Sequence, residues 1–364
     1  MKPERSIEQG ETPDKSDAKF HVICTVDHEV FGNGSGCVDR CVVDPMTRCL
    51  AEMDRHRAVL TFFVDSAEFL SMRMAGGRLG EACTRVESQL ADAAADGHTV
   101  QLHLHPQWLN AAWMEGQWRL DFSRWRIGDL STDEITSLIE SGIRYLRSVV
   151  GPDPRHLCAF RAGGWAIQPA RDTLAALSRN GVVIDSTVAP GCYHSAKGDW
   201  YDFRDCPDAP CWPVADDVCR AANPQALLEA PIATARVGRF VHARALREHR
   251  SGPTLPEGCE GSYDGPNSRL QSLLGKVGKA MRMGRVMLDF STMPAWMLIQ
   301  ICEDYRNRYH KASGPIPIVA IGHGKNFTER SEQNLRLWLS WVDRQADMKY
   351  SDYRQWYSER QAAQ

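Results

Sequence analysis

Four short apolar runs in this chain stop abruptly at residues that carry chemistry, and helical stretches separate them. His21-Val22-Ile23-Cys24-Thr25-Val26 ends in Asp27-His28-Glu29, and Val100-Gln101-Leu102 ends in His103-Leu104-His105-Pro106. Leu157-Cys158-Ala159-Phe160 ends in Arg161-Ala162-Gly163-Gly164-Trp165, and Ile316-Pro317-Ile318-Val319-Ala320-Ile321 ends in Gly322-His323-Gly324-Lys325. Runs of this length fit buried strands. Their alternation with helices predicts an α/β fold with a parallel sheet, closed or nearly closed into a barrel. In such folds reactive side chains collect at the C-terminal strand ends.

The helices are expected over residues 45–56, 78–96, 131–150, 169–180 and 295–310. Asp44 reads as an N-cap with Pro45 at the first helical position, and Ser131-Thr132-Asp133-Glu134 reads as a helix start. Further strands are expected over 58–64, 182–185 and 284–290.

A period of two puts Val100, Leu102 and Leu104 on one strand face and Gln101, His103 and His105 on the other. Two imidazoles side by side can share a divalent ion; two histidines that satisfy their own hydrogen bonds are the competing explanation. The same alternation places Asp27 and Glu29 on one side and His28 on the other. A carboxylate there can bind a metal or take a proton from water. A helix cap or turn would explain one acid, but less readily the acid-imidazole-acid run. Arg161 can hold a catalytic carboxylate by a charge-assisted contact. Gly163 and Gly164 allow backbone N–H groups to approach a substrate oxygen. His323 suits a general acid, with a structural histidine as the alternative.

In this order and spacing the four segments resemble the polysaccharide deacetylase family, carbohydrate esterase family 4. Asp185-Ser186-Thr187 is similar to a further family segment, and the resemblance runs from about residue 20 to 342. It is nearest to divergent members that carry Asp-His-Glu and His-Leu-His-Pro-Gln-Trp, associated with bacterial surface-polysaccharide synthesis. Two positions depart from the family pattern. His28 stands where a second aspartate is usual, and the usual four-residue histidine spacing from His103 falls on Gln107.

The resemblance implies a distorted (β/α)7 barrel and a divalent metal, with zinc the expected ion. Its ligands would be His103, His105 and one of His28 or Glu29. Asp27 would be the base, oriented by Arg161, and a backbone N–H near Gly164 or Trp165 would meet the oxyanion. His323 would protonate the leaving group, and Asp185 would orient the acid or the metal ligands. The implied reaction removes an N- or O-linked acetyl group from a sugar or glycan intermediate.

Trp108, Trp113, Trp118 and Trp125 follow the histidine strand and offer faces for sugar rings, with Trp108 taken as a substrate contact; packing is the alternative for part of the set. An insertion over 237–285, with Arg244, Arg247, Arg250, Lys276, Lys279, Arg282 and Arg285, would suit a nucleotide-linked or anionic glycan or a solvated face. The net charge of −3 gives no argument for nucleic acid, and no run approaches the roughly 20 apolar residues of a membrane span. Residues 1–19 read as a disordered polar tail, 20–345 as the catalytic domain and 346–364 as a helical tail. With no secretory signal, a cytoplasmic chain with reduced thiols is expected. Among the twelve cysteines, Cys206, Cys211 and Cys219 form a candidate structural zinc site that lacks a fourth ligand. The competing functions are an amidohydrolase acting on a non-sugar amide and a carbohydrate-binding protein without catalysis.

Overall fold

The computed structural model describes residues 15, 17–195, 200–223, 227–250 and 285–364. Its strands are β1 (Phe20–His28), β2 (Leu60–Asp65), β3 (Thr99–Leu104), β4 (Ala112–Met114), β5 (Gln117–Arg119), β6 (Ala159–Ala162), β7 (Ile184–Asp185), β8 (Tyr193–Ser195), β9 (Trp200–Asp202), β10 (Trp212–Val214), β11 (Leu227–Glu229), β12 (Thr234–Arg236), β13 (Arg285–Met287), β14 (Ile316–Ala320) and β15 (Met348–Tyr350). Nine of them form one curled sheet in the order β10-β11-β7-β6-β3-β2-β1-β14, with β15 also on β1. All pairings in it are parallel except β10 with β11.

The gap between β11 and β14 is spanned by irregular backbone. Ile232 N–H donates to Val188 O at 2.8 Å and Ala233 N–H to Val319 O at 2.9 Å. Leu288 N–H then donates to Ala233 O, and Ile321 N–H to Leu288 O. The result is the distorted α/β barrel that the alternation predicts.

Helices Asp44–Arg55, Gly77–Ala95, Thr132–Val150, Arg171–Arg179, Ala295–Tyr309 and Glu329–Asp343 fall close to the expected ranges or follow the strands they connect. Thr132–Val150 shows why. Ile135, Leu138, Ile139, Ile143 and Leu146 recur at helical spacing and are buried, and Ser131 and Glu134 close a capping box. Asp44 differs from expectation. It lies inside the helix, because a wide turn of π type over Asp39–Val43 leads into it, and no side chain caps that end.

Residues 348–362 complete the floor of the barrel. β2 pairs with the C-terminal half of β1, Cys24–His28, while β15 fills the space beside Phe20–Val22. The following helix, Tyr353–Ala362, buries Tyr353 and Trp356 completely. Tyr353 O–H donates to Ser186 Oγ at 2.7 Å, and its ring meets Phe63 edge-on.

Of the basic insertion, Arg239–Arg250 is a helix and Arg285 opens β13. Lys276, Lys279 and Arg282 lie outside the described residues, as does most of the 1–19 stretch. No described helix is long and apolar enough to cross a membrane.

Candidate active site and metal centre

Alternation along β1 sorts its last residues. Asp27 and Glu29 turn into the barrel, while His28 turns out toward the helix Ser66–Ala75. The His28 ring packs against Phe62 at 5.2 Å and Phe69 at 6.0 Å. Burial lowers its pKa to about 3, against the pull of Glu29, so the ring is neutral. The structure therefore does not bring His28 to the histidine pair.

Glu29 does reach that pair. His103 Nε2 stands 3.2 Å and His105 Nδ1 2.9 Å from Glu29 Oε2. One ligand atom from each of the three residues lies within 4.8 Å of the others, and no other such group forms among the described residues. Cys206, Cys211 and Cys219 accordingly make no zinc cluster.

The second nitrogen of His103 fixes the ring, because Nδ1–H donates to Arg161 O at 2.8 Å and leaves Nε2 facing Glu29. Imidazole ligands are commonly held in this way. His105 Nδ1 is also 2.9 Å from Asp65 Oδ2. Asp65 is itself anchored, since its Oδ1 accepts from Ala67 N–H and Glu68 N–H at the start of the helix Ser66–Ala75. Burial opposes charge on His105, but Glu29 and Asp65 outweigh it and raise its pKa to about 10. Burial likewise opposes charge on Glu29, yet His105, Lys325 and the histidine hydrogen bonds hold its pKa well below the usual range.

Two imidazoles and a carboxylate are a suitable donor set for zinc or a related divalent ion. Lys325 Nζ stands 2.6 Å from the other carboxylate oxygen, Glu29 Oε1. A divalent cation held by Oε2 and the two imidazoles would require both rings to be neutral at the ligating nitrogen.

Beside this cluster, Asp27 stands between Arg161 and His323. Arg161 Nη1 donates to Asp27 Oδ1 at 2.6 Å, and Arg161 Nε donates to Ser186 O at 2.9 Å. His323 Nε2 lies 3.4 Å from Asp27 Oδ2. Burial alone would raise the Asp27 pKa, but Arg161, His103 and His323 outweigh it, so the carboxyl stays ionised below the usual aspartate range.

The turn Gly163–Trp165 packs against His105 and His323. A Cβ on Gly163 would meet the His105 ring at 2.4 Å, and Gly164 has φ +58° with Trp125 Nε1 3.0 Å from where its Cβ would be. Close approach favours glycine at 163, and the positive φ favours it at 164. Trp165 packs against His323 at 6.2 Å and Tyr201 at 5.9 Å.

Trp108 does not face this opening. The short turn Pro106–Trp108 carries it back into the core, where it is 2% exposed against Trp118. Trp125 meets the His105 ring edge-on at 6.1 Å. Trp113, Trp118 and Phe122 line a separate groove of about 1740 Å³ between the 33–39 loop and the β4–β5 hairpin.

Asp185 touches neither His323 nor the cluster. Its Oδ1 accepts from Thr187 Oγ1 at 2.6 Å, and Thr187 Oγ1 accepts from Ala162 N–H at 2.9 Å, which fixes the strand end that carries Arg161. Burial raises the Asp185 pKa to about 6, and burial beside Asp185 raises Glu229 well above the usual range.

Sequence reasoning missed Asp65, Glu68 and Lys325. Glu68 accepts from Val30 N–H at 3.0 Å and so secures the backbone after Glu29. A signal existed for Asp65, which ends an apolar run as Asp27 does. Lys325 lies two residues beyond His323.

No protein-family model matches the chain, and no curated protein matches it. Solved structures are similar to it. One from Mycobacterium smegmatis, described as a polysaccharide deacetylase, has a TM-score of 0.50 and 14% identity over 99% of this chain and 95% of that one. Puue allantoinase has a TM-score of 0.51 and 10% identity over 100% of this chain and 98% of that one. These identities make the likeness one of fold, and the chain has the polysaccharide deacetylase fold.

Proposed function

We propose that this chain is a metal-dependent hydrolase that removes an N- or O-linked acetyl group from a sugar or glycan intermediate in the cytoplasm. The observation that supports this reading best is the meeting of Glu29, His103 and His105 beside an Asp27 clamped by Arg161. Glu29, His103 and His105 would hold the ion, with zinc the first candidate. The ion would supply Lewis-acid polarisation of the acyl carbonyl.

The chain's own groups account for the proton traffic. Asp27 is ionised and takes a proton from the attacking water, while Arg161 fixes its orientation. A backbone N–H near Gly164 or Trp165 would meet the developing oxyanion. His323 gives a proton to the departing amine or alkoxide, and acetate is the other product. Trp125 and Trp165 wall the opening and offer flat faces to a sugar ring.

An amide outside sugars is the second reading, because an allantoinase shares the fold over the whole chain. The test is metal content by elemental analysis, followed by acetate release from N- and O-acetylated sugars. About one divalent ion per chain with acetate release supports the proposal. Metal with hydrolysis only of non-sugar amides selects the second reading. Absence of bound metal after incubation with zinc, cobalt or nickel would overturn both and leave a carbohydrate-binding protein.

A further inference from the structure

We propose that Cys206 and Cys219 are an oxidisable pair whose disulfide staples the wall of the site that carries Tyr201. Their Sγ atoms are 2.6 Å apart. That is well inside ordinary heavy-atom contact of about 3.5 Å or more, and close to the S–S bond length of about 2.05 Å. A shared zinc would need further ligands, and among the described residues no third His, Cys, Asp or Glu joins the pair in such a group. Both cysteines are half-buried, so a small oxidant can reach them.

Their position gives the bond a consequence. Cys206 follows β9 and Cys219 lies between β10 and β11, so the bond would tie together the two loops that flank β10. Cys219 Sγ is 3.6 Å from Asp202 O. Asp202 is in turn clamped by Gln168, whose Oε1 accepts from Asp202 N–H at 2.8 Å and whose Nε2 donates to Asp202 O at 3.1 Å. Gln168 belongs to the segment that continues from Trp165, and Tyr201 packs on Trp165. The staple therefore fixes the base of the β8–β9 hairpin against the loop that lines the candidate site. It does not depend on which reaction that site performs.

The co-reactant is a low-molecular-weight disulfide. One protein thiolate attacks it, its S–S bond breaks and one small thiol leaves. The second cysteine then displaces the other small thiol from the mixed disulfide. Two protein thiols thus lose two electrons and two protons, which the two small thiols carry away. In a reducing compartment the pair stays open, and in an oxidising one it closes.

The experiment incubates the full chain with excess glutathione disulfide, blocks the remaining thiols with N-ethylmaleimide after unfolding, and maps peptides by mass spectrometry. The expected result is a Cys206–Cys219 linkage, with two of the twelve cysteines protected from the label. The oxidised chain should melt roughly 3–6 °C higher than the reduced chain, and Cys219→Ser should abolish that rise. Full labelling of both cysteines, separate glutathione adducts on each, or a link to a different cysteine would overturn the pairing. Protection of both thiols by zinc in the reduced chain would also overturn it. A correct linkage with no change in melting would overturn the stapling role.

Discussion

Arg161 reaches past two intervening strands to place Nη1 2.6 Å from Asp27 Oδ1, with both side chains closed to solvent. Its guanidinium lies 4.1 Å over the Phe63 ring, and its Nε is held by Ser186 O. The arginine is thus fixed on several sides, and the carboxylate takes its orientation from it.

Separate roles for the two partners give distinct outcomes. Asp27→Asn should keep the metal but lower turnover by about 10²–10⁴-fold, the range for loss of a general base, and it leaves the buried Arg161 guanidinium without its counter-charge, at some cost in stability. Arg161→Met leaves a buried carboxylate without its cation and should cost about 3–5 kcal/mol of stability. Acetate release and chemical denaturation, measured on both variants, check this. Full turnover in Asp27→Asn would remove it from the role of base.

Metal content should follow the inward face of the strand ends. His103→Ala, His105→Ala and Glu29→Ala should each fall from about one equivalent of divalent ion to background. His28→Leu should retain the ion, because that ring lies between Phe62 and Phe69. Elemental analysis of the four purified variants decides it, and loss of metal in His28→Leu would contradict the assignment to Glu29.

Gly163 is tight against a candidate ligand. A methyl group there would stand 2.4 Å from His105 Cδ2 and 2.7 Å from Leu104 O, so the ring or the strand has to move. Gly163→Ala should destabilise the chain by about 1–3 kcal/mol and weaken metal binding by roughly 10–100-fold, as loss of ligand support does. Competition with a chelator reads the second effect, and unchanged affinity would show that His105 tolerates the shift.

Asp185 carries a pH signature. Its pKa rises from 3.8 to about 6 in the folded chain, so the folded state holds the proton more tightly than the unfolded one. The contribution of Asp185 to stability is therefore greatest at low pH, declines as pH rises from about 3.8 to 6, and stays reduced above that. Asp185→Asn keeps an acceptor for Thr187 and removes the ionisation. It should stabilise the chain at pH 8 by up to roughly 3 kcal/mol and give no gain below pH 4. Equal effects at pH 4 and 8 would refute the sign.

The barrel and its inward-facing residues were legible because both rest on periodicity. Period two placed His103 with His105, and Asp27 with Glu29, and set His28 apart. The choice between Glu29 and His28 stayed open in the sequence, since one bulge would exchange them; in the structure β1 remains regular through His28. Lys325 was not legible, because its contact with Glu29 joins residues 296 positions apart. The position of Trp108 was not legible either. Whether an aromatic residue after a strand faces the core or the opening depends on the turn that follows, here Pro106–Trp108. Asp185 was placed near the site by motif alone; its link to Arg161 runs through Thr187 and the backbone of Ala162.

The pairing of β1 sets an order of events during synthesis. Phe20 to Cys24 pair with Ile316 to Ala320, and Phe20 to Val22 also pair with Met348 to Tyr350. At about 5–20 residues per second, the ribosome delivers those partners on the order of tens of seconds after β1 itself. The strand that carries Asp27 thus emerges before every other strand of its sheet and is among the last to be completed. Until then it presents an open, apolar edge of the kind that invites pairing with a neighbouring chain, and the hazard to the nascent protein is concentrated in the strand on which the site is built.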